Sequence, residues 1–277
     1  GHLRNAALGD TLVRALRFQG TLVEVQNYID DTGVQVADVV VGFRVLKSLS
    51  LADIRRVAET VRFDHYCWDL YARVTDWYDG DKSRLATRAA TLHDIEHGGN
   101  ENAEAAAFIA DRIVRCHLAT MTRLNVDYDL LTWEGDILRL KFWAHAFDLL
   151  KAKGAVYLRT DGRLAGCWVM PIQDDLDAAE PGAPEAPGDE DAEEREKVIV
   201  RSNGVVTYVG KDIAYQFWKL GLLGRDFQYR RFIDRPQPLW STQTASGALD
   251  HPPFGGASYV YNVIDVRQSY LQKLLKQ

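Results

Sequence analysis

The second residue of the chain is a histidine placed where a helix begins, and that position is the first at which the sequence suggests chemistry. Gly1-His2-Leu3-Arg4-Asn5 runs straight into apolar residues at helical spacing, Leu3, Ala7, Leu8, Leu12, Val13 and Leu16, so one face is expected to be buried with Gly1 and His2 at the N-terminal end. Unpaired backbone N–H groups and the positive end of the helix dipole meet there and make a seat for phosphate; a histidine could donate to a polyphosphate as charge builds on it. A second constellation, His93-Asp94-Ile95-Glu96-His97, fits the HxxEH pattern of a zinc-peptidase class and puts both histidines on one helix face. A zinc site would need a further ligand and an open coordination position, and Gly98-Gly99 ends the helix at once, so a solvated helix end is the default and no metal site is expected. The third pair is Tyr208 and Asp212. Two β-branched runs joined at Asn203-Gly204 signal a hairpin, from which Tyr208 leaves a strand and Asp212 opens a helix. Both side chains could then face the crevice at the strand's carboxyl end, where open α/β sheets bind ligands. Taken alone, Asp212 is equally a helix N-cap.

The elements that must hold these residues alternate in type. Gly20 breaks the first helix and Leu22 to Ile29 reads as a strand, giving the helix-and-strand half of a βαβ unit. Asp30-Asp31-Thr32-Gly33 is a turn signal, followed by a valine-rich run from Val34 to Phe43. From about Ser50 to Asn125 the pattern is helical, and the aromatic crowd of Phe63, Tyr66, Trp68, Tyr71, Trp77 and Tyr78 reads as core rather than as a platform for bases. Leu124 to Asp129 is a loop or short strand. After Thr132-Trp133-Glu134 a helix is expected through Ile137, Leu140, Phe142, Ala144, Phe147, Leu149 and Leu150 to Lys151. Val156 to Leu158 and Cys167 to Pro171 read as short strands, Val260 to Val266 as a buried strand, and Arg267 as the start of a last helix.

The 277 residues, 47% hydrophobic, suffice for one large or two modest domains. No apolar run approaches the ~18 residues of a membrane span and no signal peptide is read at the start, so a soluble, cytoplasmic protein with no membrane partner is expected. Cys67, Cys116 and Cys167 form no CxxC pair and are expected to be free thiols. The net charge of −6 is unevenly spread: from Asp174 to Glu196 eleven acids face one base, a charge of −10 that leaves +4 for the remainder. That remainder permits contact with RNA phosphates without requiring it. The Pro-, Ala- and Gly-rich, acidic stretch from about 173 to 196 buries too little apolar surface to offset its chain entropy and is expected to be a disordered loop.

Gly1-His2-Leu3-Arg4-Asn5 followed by Gly9-Asp10 resembles the second half of the HIGH signature of class I aminoacyl-tRNA synthetases. Tyr28, Asp30, Gly33 and Gln35 resemble the Tyr-x-Asn-Asp-x-Gly-x-Gln stretch of arginyl-tRNA synthetases, with Asp30 where that family often has asparagine. Leu124 to Tyr157 is similar to the family segment that walls the amino-acid pocket, with Glu134 at its acidic position. The run from Asn203 through Tyr208 to Lys211-Asp212-Ile213-Ala214-Tyr215 resembles the pocket motif itself, and Asn262 to Lys276 is similar to the segment that brings a glutamine, here Gln268, to the pocket. Five such stretches in order, spread over almost the whole chain, identify it as resembling most of an arginyl-tRNA synthetase catalytic domain.

The resemblance implies an α/β fold, a Rossmann-type parallel sheet nucleotide-binding core with a helical insertion: residues 1–44 as the first half of the core, 45–125 as the insertion and 126–277 as the second half. It implies ATP-dependent formation of arginyl-adenylate and transfer of arginine to tRNA(Arg), by a monomer, with Mg2+ accompanying ATP. His2 would stabilise the triphosphate, with Gly1 and Asn5 beside it, and Glu134, Tyr208, Asp212 and Gln268 would hold arginine. Read without the family, Glu134 is an ordinary helix-start carboxylate and Gln268 an exposed helix-start residue. The first histidine of the signature would precede Gly1, and the KMSK-type loop and anticodon-binding domain would follow Gln277, so this stretch alone is expected to be weakly active at best. The alternative is a non-catalytic synthetase-like module that binds arginine or RNA.

Overall fold

A computed structural model describes residues 2–172, 196–204, 206–265 and 269–276; the acidic stretch, Gly1 and Gln268 lie outside them. The opening helix forms as α1 (His2–Phe18) and closes with Gly20 N–H bonded to Arg17 O and Thr21 N–H to Leu16 O, both at 3.0 Å, with Gly20 in the left-handed region that this closure requires. Its expected buried face differs. Leu3 and Leu8 are 62% and 57% exposed, and Leu12, Val13 and Leu16 are half-buried. Gly9 lies against Val263, close enough that a Cβ there would make ordinary van der Waals contact at 3.5 Å. The strand expected from Leu22 is shorter, because Leu22 is 99% exposed; β1 (Gln26–Ile29) begins only after Val25 N–H is caught by Asp129 Oδ2 at 2.7 Å.

The valine-rich run is a helix, α2 (Val34–Val41), continued by a π-helical turn over Gly42–Leu46. β-branched residues favour strands, but Ala37, Val40, Val41 and Phe43 are wholly buried, and that burial outweighs the small propensity penalty. The helical stretch follows as α3 (Leu51–Thr60), α4 (Phe63–Gly80), α5 (Leu85–His97) and α6 (Glu101–Arg123). Ser50 and Asp53 form a capping box on α3, and Asn100 accepts from Ala103 N–H at the start of α6. Ile54, Phe63, Leu70, Ile95 and Ile109 close on Phe43 to make the core, so most of the aromatic crowd is packing, with Trp68 left exposed.

β2 (Leu130–Trp133) is buried along its length and feeds α7 (Glu134–Arg139) and α8 (Phe142–Ala152). The single helix expected there is broken at Lys141, which takes a left-handed conformation at φ 59°. β3 (Tyr157–Leu158), β4 (Trp168–Pro171) and β5 (Glu196–Val200) make an antiparallel sheet. The hairpin at Asn203-Gly204 is present, but its second arm is one bridge, Val200 to Val206, because α9 (Tyr208–Lys219) already begins. β6 (Gln228–Ile233), β7 (Leu239–Gln243) and α10 (Ser269–Lys276) complete the chain. No regular element covers residues 260–265, where Tyr261 and Val263 are exposed, so the buried strand expected there is absent.

The larger sheet runs β1-β2-β7-β6 with β1 parallel to β2 and β2 parallel to β7, the α/β architecture with a parallel sheet. The chain divides into two compact units: Glu24–Gly135 with Phe232–Ser241, and Gly1–Val23 with Asp136–Arg231 and Thr242–Gln277. In the second, α8, α9 and α10 share a core with the antiparallel sheet made of Leu150, Met170, Ile199, Val209, Ile213 and Leu274. Among the described residues no helix is long and apolar enough to cross a membrane.

Candidate active site

Parallel pairing explains the best-defined part of the site. Tyr28 lies opposite Thr132 and Ile29 opposite Trp133, so the residues leaving β1 and those leaving β2 emerge side by side at the carboxyl edge of the sheet. Glu134, the first residue beyond β2, is 8% exposed. Its two oxygens are held by different hydroxyls: Tyr28 donates to Oε2 at 2.7 Å, and Thr32, itself buried, donates to Oε1 at 3.0 Å. Gly135 N–H donates to Asp31 Oδ1 at 2.8 Å, which fixes the start of α7 from the same turn. At position 33 a Cβ would lie 2.4 Å from an Asp30 carboxylate oxygen, so a larger residue there would have to displace the Asp30 side chain. A carboxylate so held cannot rotate freely.

In the second unit, Asp212 is half-buried on α9, a full turn inside the helix rather than at its opening. Thr207 occupies the N-cap position, and its hydroxyl donates to Val198 O at 3.0 Å and to Ile199 O at 3.1 Å, tying the helix start to β5. Tyr208 is therefore the first residue of α9 and does not leave a strand; its side chain lies outside the described set. Gly210 lets α9 approach α8, since a Cβ there would sit 2.8 Å from Val206 and 2.9 Å from the Trp143 ring. Seven residues beyond Asp212, Lys219 donates to Asn262 Oδ1 at 3.1 Å, and its ammonium lies 4.2 Å from the Tyr215 ring centre. Burial pushes the Lys219 pKa down to about 8 against the opposing pull of Asp212. Asn262 in turn donates to Gln272 Oε1 at 3.1 Å, so the segment before α10 is joined to both helices.

The remaining sequence candidates divide in two. Asn5 is half-buried on α1, and His2 is the first residue of that helix with its side chain outside the described set. Gly1 and Gln268 fall outside it altogether. His93 and His97 are exposed on α5 with their rings 5.7 Å apart, and among the described residues no group of three or more His, Cys, Asp or Glu is assembled to hold a metal ion. The cysteines are free, and burial drives the Cys67 thiol up to about 12, so it stays protonated and unreactive. Sequence reasoning missed Thr32 and Lys219. The signal for Thr32 was the turn itself, whose residues must face whatever leaves a parallel neighbour; Lys219 had only its helical spacing from Asp212.

No protein-family model matches the chain. It is 35% identical over 285 residues to an arginine–tRNA ligase of Thermococcus kodakarensis and 37% identical over 281 residues to one of Thermus thermophilus, each match covering 100% of this chain. In solved structures it is similar to Thermus thermophilus arginyl-tRNA synthetase, with a TM-score of 0.74 and 32% identity over 100% of the chain. The chain spans 42% of the Thermococcus protein and 41% of the Thermus one. Matched from end to end in sequence and in fold, this stretch belongs to the arginyl-tRNA synthetase family.

Proposed function

We propose that the protein of which this stretch is part is an arginine–tRNA ligase. It would activate arginine with ATP, the arginine carboxylate displacing pyrophosphate from the α-phosphate, and then pass the arginyl group to the 3′ end of tRNA(Arg) with release of AMP. The observation that carries this is the end-to-end match to arginine–tRNA ligases, to which the chain aligns over its full length. In this reading residues 1–44 and 126–277 are the two halves of the catalytic core, and 45–125 is the insertion.

The residues present suit the substrates. Arginine carries a planar cation with five donors; Glu134 in one unit and Asp212 in the other are each carboxylates that could accept from it, and Tyr208 and Gln268 are the further residues assigned to arginine. α1 has no acidic residue in its first turn, so its N–H groups and dipole, with His2, Asn5 and Gly1, suit a triphosphate. There they would act by electrostatic stabilisation and positioning rather than by covalent catalysis. Mg2+ would travel with ATP and be held largely by phosphate oxygens and water, which requires no dedicated protein cage.

The test is thermal stability of the full-length protein with saturating arginine, lysine or citrulline, repeated with Asp212→Ala. Arginine at about a hundred times its dissociation constant stabilises the fold by roughly 2.7 kcal/mol. Stabilisation selective for arginine and lost in Asp212→Ala is the expected result; equal shifts with lysine, or none with arginine, would sink the reading.

A further inference from the structure

We propose that Tyr28 and Thr32 are positioning residues for arginine recognition, acting through Glu134. The inference rests on the reading of Glu134 as an arginine ligand and adds the pair of hydroxyls that set its orientation. Three observations carry it. Each carboxylate oxygen takes one hydroxyl, Tyr28 at 2.7 Å and Thr32 at 3.0 Å, so both torsional freedom and the plane of the carboxylate are fixed. Both donors come from the β1 edge, while their acceptor comes from the β2 edge, so the parallel register of Tyr28 with Thr132 and Ile29 with Trp133 fixes the arrangement. Thr32 is 2% exposed and Glu134 is 8% exposed, so water is a poor substitute for the Thr32 hydroxyl, while Tyr28 is half-buried.

The chemistry gives the arrangement a purpose. A guanidinium is planar and binds a carboxylate best when two parallel N–H donors meet an oriented acceptor. A glutamate free to rotate would spend part of its time edge-on to the wrong plane and would lose rotamer entropy on binding. Two neutral donors hold the plane without adding a charge that would compete with the ligand. Lysine or arginine in their place would neutralise Glu134 and repel the substrate.

The experiment measures arginine dissociation constants by calorimetry on the full-length protein for wild type, Tyr28→Phe, Thr32→Val, Thr32→Ser, Glu134→Gln and the double variant Tyr28→Phe/Glu134→Gln, with ATP affinity and melting temperature as controls. Losing a hydroxyl donor to a buried carboxylate weakens arginine binding about tenfold or more in Tyr28→Phe and in Thr32→Val. Thr32→Ser, which keeps the hydroxyl, stays within about threefold of wild type, and ATP affinity is unchanged throughout. In the Glu134→Gln background, Tyr28→Phe adds less than about twofold, because its route of action is gone. Should Tyr28→Phe and Thr32→Val bind arginine normally while Glu134→Gln does not, the positioning role is wrong and Glu134 stands as a ligand. Full persistence of the Tyr28→Phe loss in the Glu134→Gln background also overturns it. Normal arginine binding by Glu134→Gln removes Glu134 from the pocket and the proposal with it.

Discussion

Lys219 carries a positive charge into apolar surroundings, and its contacts only partly compensate. The Tyr215 ring, Asn262 Oδ1 and the field of Asp212 all favour the ammonium, yet burial prevails and the pKa falls from 10.5 to about 8. A base whose folded pKa lies below its unfolded one binds fewer protons when folded across the interval between the two. Stability attributable to this residue therefore rises with pH from about 8 to 10.5 and is lowest below 8, where both states are charged. Lys219→Met is expected to raise the melting temperature at pH 7, with the gain shrinking toward zero by pH 10.5. Melting curves of both proteins across that range check it, and a gain constant with pH would mean that side-chain packing, not the charge, was changed.

At the scale of elements, the helical unit is clamped by an ion pair that nothing local announces. Asp38 on α2 is fully buried, and Arg88 on α5 donates to both its oxygens at 2.8 Å. The Arg88 guanidinium also lies over the Tyr78 ring of α4 at 4.6 Å, and burial with the charge of Asp38 lifts the Tyr78 hydroxyl to about 12. Arg88→Met strands a carboxylate in the core and is expected to cost about 3 kcal/mol in urea denaturation, the low end for a broken buried pair because the arginine is partly exposed. The paired change Asp38→Leu with Arg88→Met is expected to regain most of that loss, and failure to regain it would show that the pair does more than compensate itself. The same unit shows what was legible in the sequence. Helices α3 to α6 followed from periodicity and caps such as Ser50 and Asn100, since those signals are local. The helix at Val34–Val41 was not, because its valines prefer strands and only the burial of Ala37 to Val41 decides against them. The start of α9 was misplaced by four residues for a related reason: Val205 to Val209 reads as a strand, while the Thr207 hydroxyl that anchors the helix bonds to carbonyls of β5 eight and nine residues earlier. Glu134 could be found as a residue, but its hydroxyl partners stand 106 and 102 positions away and become neighbours only through the parallel register.

For the whole molecule the quantity that matters is how charge is distributed toward a polyanion. The chain is −6 in sum, but ten acids and no base lie between Asp174 and Glu194, so the other residues together carry +4. On the proposed reading, the protein would have to draw tRNA phosphates to itself while carrying this acidic stretch. At about 0.01 M salt the Debye length is roughly 30 Å and the field of ten carboxylates reaches across a protein of this size; at about 1 M it is roughly 3 Å and the field is gone. Replacing residues 174–194 of the full-length protein by serine and glycine of equal length leaves Glu196 and its partners Arg159 and Tyr157 in place. The replacement is expected to tighten tRNA(Arg) binding at low salt severalfold, through a faster association rate, and to leave binding near 1 M salt and the arginine dissociation constant unchanged. Filter binding across a salt series reads both limits. Identical affinity at low salt would place the acidic stretch beyond electrostatic reach of the tRNA, and weaker binding at every salt would show that its residues make contacts of their own.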